Sequence, residues 1–225
     1  AIGPSFRIGA APSQSLALEA NRGLSFMGVI LCGDGFLVSE DAASTVRSAA
    51  RSAGVLSNYL SGTDLARSTR GHTVIDFSGL SEEEARLRCP PAYQWIRDRV
   101  WPERQLNRMR RRQQEWWLYG SSAPRMRQAL RGLVRYIATA RTAKFRVFQF
   151  VSGDALVESN VVAVASADSA VLGVLSTVVH VAWAAATGAT LEDRPHYTNS
   201  TVFEPFPFPS DDTGLTPDLT TRIRT

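Results

Sequence analysis

Lysine is almost missing from this chain: of 25 basic residues in 225, Lys144 is the one lysine and all the others are arginine. Cysteine is nearly as scarce. Cys32 and Cys89 stand far apart and outside any C-x-x-C pair, which argues against a zinc site or a disulfide framework and fits a reducing compartment. No H-E-x-x-H, G-x-S-x-G or acidic-x-Lys run is present, so metalloprotease, serine-hydrolase and nuclease chemistry lack their motifs, and no metal site is expected. Long apolar runs are absent but for Ser169 to Ala189, which Ser176, Thr177, His180 and Gly188 interrupt and no basic residue flanks. It is expected to be a buried core helix, with no membrane as partner.

What is abundant is unevenly placed. Hydrophobic residues make up 44% of the chain, enough for a substantial core. Net charge is only +4, yet fifteen arginines and Lys144 fall between Arg86 and Arg146 against Asp98, Glu103 and Glu115, leaving the remainder acidic. Such segregation is the electrostatic footprint of a surface that meets a polyanion.

The stretch on which the chain centres is Arg135 to Phe150, RYIATARTAKFRVFQF. It reads as two strands, Tyr136 to Thr139 and Phe145 to Phe150, joined by a basic, hydroxyl-bearing connection. Period-two alternation puts Phe145, Val147 and Gln149 on one side of the second strand and Arg146, Phe148 and Phe150 on the other. Arg141, Lys144 and Arg146 are thereby base-readout candidates, because guanidinium groups on a rigid frame match guanine edges. A half-buried sheet with a solvated basic edge is the plainer alternative.

Before that stretch, Ala1 to about residue 20 is a poorly patterned lead-in broken by Pro4 and Pro12. The chain starts without a methionine or a leader, so it reads as a segment of a longer product. Leu24 to Cys32 and Phe36 to Val38 flank Gly33-Asp34-Gly35, which reads as a hairpin turn. Ser39 caps a helix expected to run to about Ala53. Ser61-Gly62-Thr63-Asp64 is a turn between apolar anchors, so Ser61, Thr63 and Asp64 are further readout candidates, with an ordinary surface turn as the alternative. His72 to Phe77 alternates as a strand.

Ser81-Glu82-Glu83-Glu84 is a capping box that opens an arginine-rich helical region over 81–115, divided by Pro90-Pro91 and Pro102. Arg104, Arg108, Arg110, Arg111 and Arg112, with Arg135, are candidate contacts to a DNA backbone, since few acids compensate them at helical spacing. The cluster Glu115 to Gly120, EWWLYG, is expected to pin this region to the core. A short helix follows, closed by Gly132. Asn160 to Ala165 is expected to be an interior strand. The tail from Thr190 to Pro209 is extended, with Phe203, Phe206 and Phe208 as apolar anchors, and residues 210–225 are expected to fray.

Three motifs together resemble the specificity region of the large bacterial DNA adenine methyltransferases that include the MmeI-like and other type IIG restriction-modification enzymes. They are SFMGVILCGDGFLVS with YLSGTDL, then WWLYG leading into RYIATARTAKFRVF, and finally the apolar helix followed by RPHYTNSTVFEPFPFP. The resemblance spans about Pro4 to Pro209 and implies a target recognition domain over 21–209 that reads double-stranded DNA. It implies too an upstream methyltransferase domain, joined through residues 1–20, that binds S-adenosylmethionine and methylates adenine at N6 in the bacterial cytoplasm, with or without an endonuclease. Tyr197 and Asn199 in the tail motif join the candidate backbone contacts. Two motifs depart from the family: Ala143-Lys144-Phe145-Arg146 stands in place of Ser-Lys-His-Arg, and Glu158-Ser159-Asn160 in place of Pro-Asp-Asn. Neither an F-x-G-x-G cofactor loop nor an Asn-Pro-Pro-aromatic motif occurs, so this chain alone is expected to hold no cofactor and neither to methylate nor to cut. An α+β fold is expected, with a mixed, mainly antiparallel sheet from the runs at Leu24, His72, Arg135, Phe145 and Asn160. Two other classes stay open, an RNA-binding basic module and a scaffold joining protein subunits.

Overall fold

Glycine, proline and hydroxyl-bearing residues punctuate the chain so often that, among the described residues, no strand exceeds six residues and no helix ten. The computed structural model describes residues 15–49, 54–66, 72–191, 194–210 and 216–224. The strands are β1 (Ser25–Met27), β2 (Leu37–Val38), β3 (Leu56–Leu60), β4 (His72–Ile75), β5 (Arg135–Ala140), β6 (Gln149–Ser152), β7 (Leu156–Val157), β8 (Val161–Val164), β9 (Ala189–Leu191) and β10 (Arg194–His196). The helices are α1 (Glu40–Ser48), α2 (Gly62–Ala66), α3 (Glu82–Arg88), α4 (Pro90–Arg99), α5 (Trp101–Gln105), α6 (Arg110–Gln114), α7 (Pro124–Leu130), α8 (Ser169–Leu175), α9 (Val178–Thr187) and α10 (Pro217–Arg224). The fold is α+β, as expected, but the strands form separate sheets in two compact units.

The first unit comprises Ala1–Met27, Arg125–Gly153 and Asn160–Thr225. Its sheet runs β1-β8-β5-β6 and is antiparallel throughout, with Ala138 opposite Ala163 on one side and Gln149 on the other. β5 and β8 are buried almost end to end, which is why their sequences are apolar without alternation. The second strand of the central stretch begins at Gln149, not Phe145. The Arg146 side chain takes the carbonyls of Ala140 and Arg141, where β6 would otherwise continue along β5, while Arg141 N–H stays in register with β8 through Asn160 O at 2.7 Å.

Against this sheet lies a core of Ile137, Phe148, Val162, Val164, Leu175, Tyr197 and Phe203. The expected single apolar helix is two helices bent by 57°, and neither alone is long and apolar enough to cross a membrane. Thr177 makes the break, its hydroxyl donating to Val174 O and accepting from His180 N–H as the cap of α9. Nor is the pair wholly buried, for Val178 is 80% exposed. The tail is less extended than expected, since Asn199–Phe203 winds into a π-helical turn. The lead-in falls outside the described residues up to position 14, but beyond it Asn21 donates to Glu204 O and Phe206 O and so is tied to the tail. Past Ser210, where fraying was expected, α10 is formed.

The second unit comprises Gly28–Pro124 and Asp154–Ser159. Its mixed sheet runs β2-β4-β3-β7, antiparallel except where β3 and β7 pair Tyr59 with Leu156. This sheet, and not that of Arg135, takes the run at His72. Gly33-Asp34-Gly35 is no hairpin: Gly33 at φ 125° leads into a single 3-10 turn, and β2 pairs with β4 instead of returning on β1. Gly28 is required because a Cβ there would lie 2.1 Å from Val157 O, where the backbones meet through Val29 N–H to Val157 O at 2.8 Å. Helix α1 is capped at Ser39 and ends at Ser48; the expected end at Ala53 lies outside the described residues.

The Ser81 capping box is formed, and Pro90-Pro91 and Pro102 open α4 and α5 as expected. Trp116, Trp117 and Tyr119 donate to Glu82, Leu80 O and Ile75 O respectively, holding the aromatic cluster in the core. Arg104 is 2% exposed and donates to Leu31 O at 2.8 Å and Leu118 O at 3.3 Å. Its replacement by alanine is expected to destabilise the protein by about 2 to 4 kcal/mol, through a cavity and two carbonyls left without this donor, and a urea titration measures it.

His180 in the first unit is fully buried, with Nε2 2.9 Å from Tyr197 Oη. Burial, aided by the Arg146 charge, pushes its pKa down to about 4. The unfolded chain binds a proton below about pH 6.5 that the folded ring refuses until about pH 4, so stability is fully present above 6.5 and falls as pH drops through that window. His180→Gln is expected to flatten the slope of unfolding free energy against pH between 6.5 and 4. An unchanged slope would show that the ring does not set it.

Candidate nucleic-acid interface

Each unit carries its own set of cations. In the first unit they cluster on the connection between β5 and β6. Arg146 is its strut. Its guanidinium donates to Thr139 Oγ1 at 3.1 Å, to the carbonyls of Ala140, Arg141 (3.4 Å) and Pro195 (3.2 Å), and lies 5.0 Å from the Tyr197 ring centroid. Burial pushes its pKa down to about 10, which still leaves it charged at neutral pH. Arg146, a base-readout candidate from the sequence, therefore holds the connection against β10, with both terminal nitrogens of its guanidinium bonded inside the unit.

Arg141 and Thr142 meet His196. The Arg141 guanidinium lies 3.1 Å from His196 Nε2 and 3.0 Å from Met27 Sδ, and Thr142 Oγ1 lies 2.9 Å from His196 Nδ1. Arginine offers no acceptor, so Nε2 accepts and the neutral ring keeps its proton on Nδ1, facing the threonine. Burial, then the Arg141 and Arg146 charges, push the His196 pKa below its ordinary value and favour that neutral form. The sequence marks Thr142 as the hydroxyl of the basic connection but does not mark His196. The antiparallel bridge between them joins residues 54 positions apart, and no local pattern marks it.

Lys144 is exposed, its ammonium 5.7 Å from the Phe145 ring centroid. Arg135 is exposed but braced: it stacks 3.8 Å from the Phe150 centroid and donates to Ala167 O and Ser169 Oγ at 3.2 Å. Tyr197 is 1% exposed and bonded to His180, so it belongs to the core and not to a backbone contact. Asn199 donates to Ser25 O at 3.2 Å.

In the second unit Arg108 and Arg110 stand exposed, Arg111 pairs with Glu115 at 2.7 Å, and Arg112 is half-buried. Arg104, grouped with them from the sequence, is corrected by its burial, since it faces the core carbonyls of Leu31 and Leu118. The expected turn at Ser61 is instead the start of α2. Asp64 accepts from Ser61 N–H at 2.8 Å and Ser61 Oγ at 2.6 Å and is 5% exposed, so in the first turn of α2 it is spent on Ser61, the residue that precedes the helix, while Thr63 is exposed. Beside Ser61 opens a cavity of about 360 Å³ lined in part by Asp34, Tyr59, His72 and Glu158. Burial, then Glu158, Asp34 and Asp64, raise the Tyr59 pKa, so this cavity disfavours a further anion. Among the described residues no three His, Cys, Asp or Glu side chains gather as metal ligands.

Comparison with known proteins places this geometry. The chain is similar over nearly its whole length to the solved structure of the type IIL restriction-modification enzyme MmeI in complex with DNA, with a TM-score of 0.72 and 17% identity. The match covers 99% of this chain and 30% of that one, so the chain spans under a third of that protein's length. None of the curated proteins compared with it matches. The family model for the MmeI target recognition domain matches residues 32–210, and the chain belongs to that family.

Proposed function

We propose that this chain reads a short sequence in double-stranded DNA as the specificity part of a restriction-modification enzyme. The observation that carries the reading is the β5–β6 connection, in which a half-buried Arg146 fixes the backbone, Arg141 and Thr142 are held against His196, and Lys144 is exposed. Base discrimination needs polar groups held to tight tolerance on a scaffold, and family membership over residues 32–210 supports placing such a frame on DNA. In this reading 21–209 is the recognition body, with Arg141, Lys144, Ser61 and Thr63 near base edges and Arg108, Arg110, Arg111, Arg112 and Arg135 near phosphates. Residues 1–20 join it to an upstream bacterial domain that binds S-adenosylmethionine and methylates adenine at N6.

Backbone and base contacts separate by experiment. Arg108→Glu with Arg110→Glu is expected to weaken binding to all duplexes alike and to reduce the salt slope by about 1 for each phosphate no longer neutralised. Arg141→Ala and Lys144→Ala are expected instead to cost about 1 to 3 kcal/mol at one base pair and relax the preference there. Competitive binding against duplex panels measures both. Equal binding to duplex, single strands and structured RNA would exclude the proposed function.

A further inference from the structure

The same connection presents something that polar readout does not require. Phe145 is 76% exposed and Val147 56%, two positions apart on the connection between β5 and β6, while Phe148 is packed in the core. An apolar side chain held in water forgoes the burial that drives folding, so two together on a braced backbone mark a surface awaiting a partner. Lys144 and Arg141 flank them. Few partners offer apolar contact within a few ångströms of dense negative charge; the grooves of a duplex do, through thymine methyl groups and the faces of bases at an opened step.

We propose that Phe145, with Val147 beside it, is an apolar base-contacting tip of this domain, meeting a thymine methyl or entering an opened base step while Lys144 engages the adjacent phosphate. Arg146 serves it as a positioning residue, because its bonds to the carbonyls of Ala140 and Pro195 keep the tip from collapsing onto the unit. The inference rests on the duplex reading above and adds to it a residue and a mode of contact.

The test starts with selection of duplexes carrying a randomised core by the whole chain, followed by measurement of wild type, Phe145→Ala, Phe145→Leu and Val179→Ser on the selected duplex and an unrelated one. Val179 is 66% exposed and apolar but has no cation beside it in sequence, so it serves as the control. Phe145→Ala is expected to lose about tenfold or more on the selected duplex and less than about threefold on the unrelated one, with Phe145→Leu restoring most of the loss and Val179→Ser neutral. Deoxyuridine in place of each thymine, and 2-aminopurine at each step, distinguish the two contacts. A uracil penalty that vanishes in Phe145→Ala assigns the methyl, and a fluorescence rise on binding that vanishes in the variant assigns the opened step. If Phe145→Ala selects the same sequence with unchanged affinity, or loses equally on both duplexes, the inference is overturned while duplex recognition stands. If it lowers the unfolding midpoint as far as Phe148→Ala does, Phe145 packs instead of reading, which overturns it too. A wild-type chain that binds no duplex would overturn the functional reading and this inference with it.

Discussion

A charged guanidinium drawn among backbone carbonyls is the contact on which the first unit is arranged. Arg146 bonds to Ala140 and Arg141 at the end of β5 and to Pro195 in β10, and rests on the ring of Tyr197, which in turn meets His180 on α9. One side chain thus ties together strand, connection, hairpin and helix. Removing a charge from water is costly, and here several acceptors and an aromatic face offset the cost, while the depressed pKa records what is left of it. The same charge helps keep His180 neutral, so electrostatics and packing in this unit cannot be varied separately.

That arrangement was only half legible in the sequence. Hydrophobic period and capping chemistry are local, and they located β5, β8, α3, α4 and α7 and the aromatic cluster around Trp116. Hairpin pairing was misread at Gly33 because Asp-Gly marks a turn without naming its partners, and β1 and β2 pair in different sheets. The limits of β6 depended on which carbonyls Arg146 would capture, a contact that closes only in three dimensions. The pairing of Thr142 with His196 is hidden from the sequence for the same reason.

The arginines divide in a way that composition does not announce. Arg104 and Arg146 are turned inward onto carbonyls, Arg99 and Arg135 lie on the rings of Trp95 and Phe150, and Arg111 pairs with Glu115. A planar, always charged group that stacks and forks is as useful inside a small unit as against a phosphate. Arginine density therefore overstates how many cations are free to meet a polyanion, and within the run at Arg108 to Arg112 the half-buried Arg112 and the paired Arg111 differ from the exposed Arg108 and Arg110.

The connection from Arg141 to Phe148 separates two tasks along one backbone. Arg146 and Phe148 bind the frame, while Phe145 and Val147 are exposed. Substitutions at the outward positions change what is presented without disturbing what holds it. One of the motif departures falls here: Lys144 and Arg146 keep their places in Ala143-Lys144-Phe145-Arg146, and the two positions that differ are Ala143 and the exposed Phe145. The contacts that fix the connection are made by Arg146 and Phe148, so its exposed positions can vary with the fold intact.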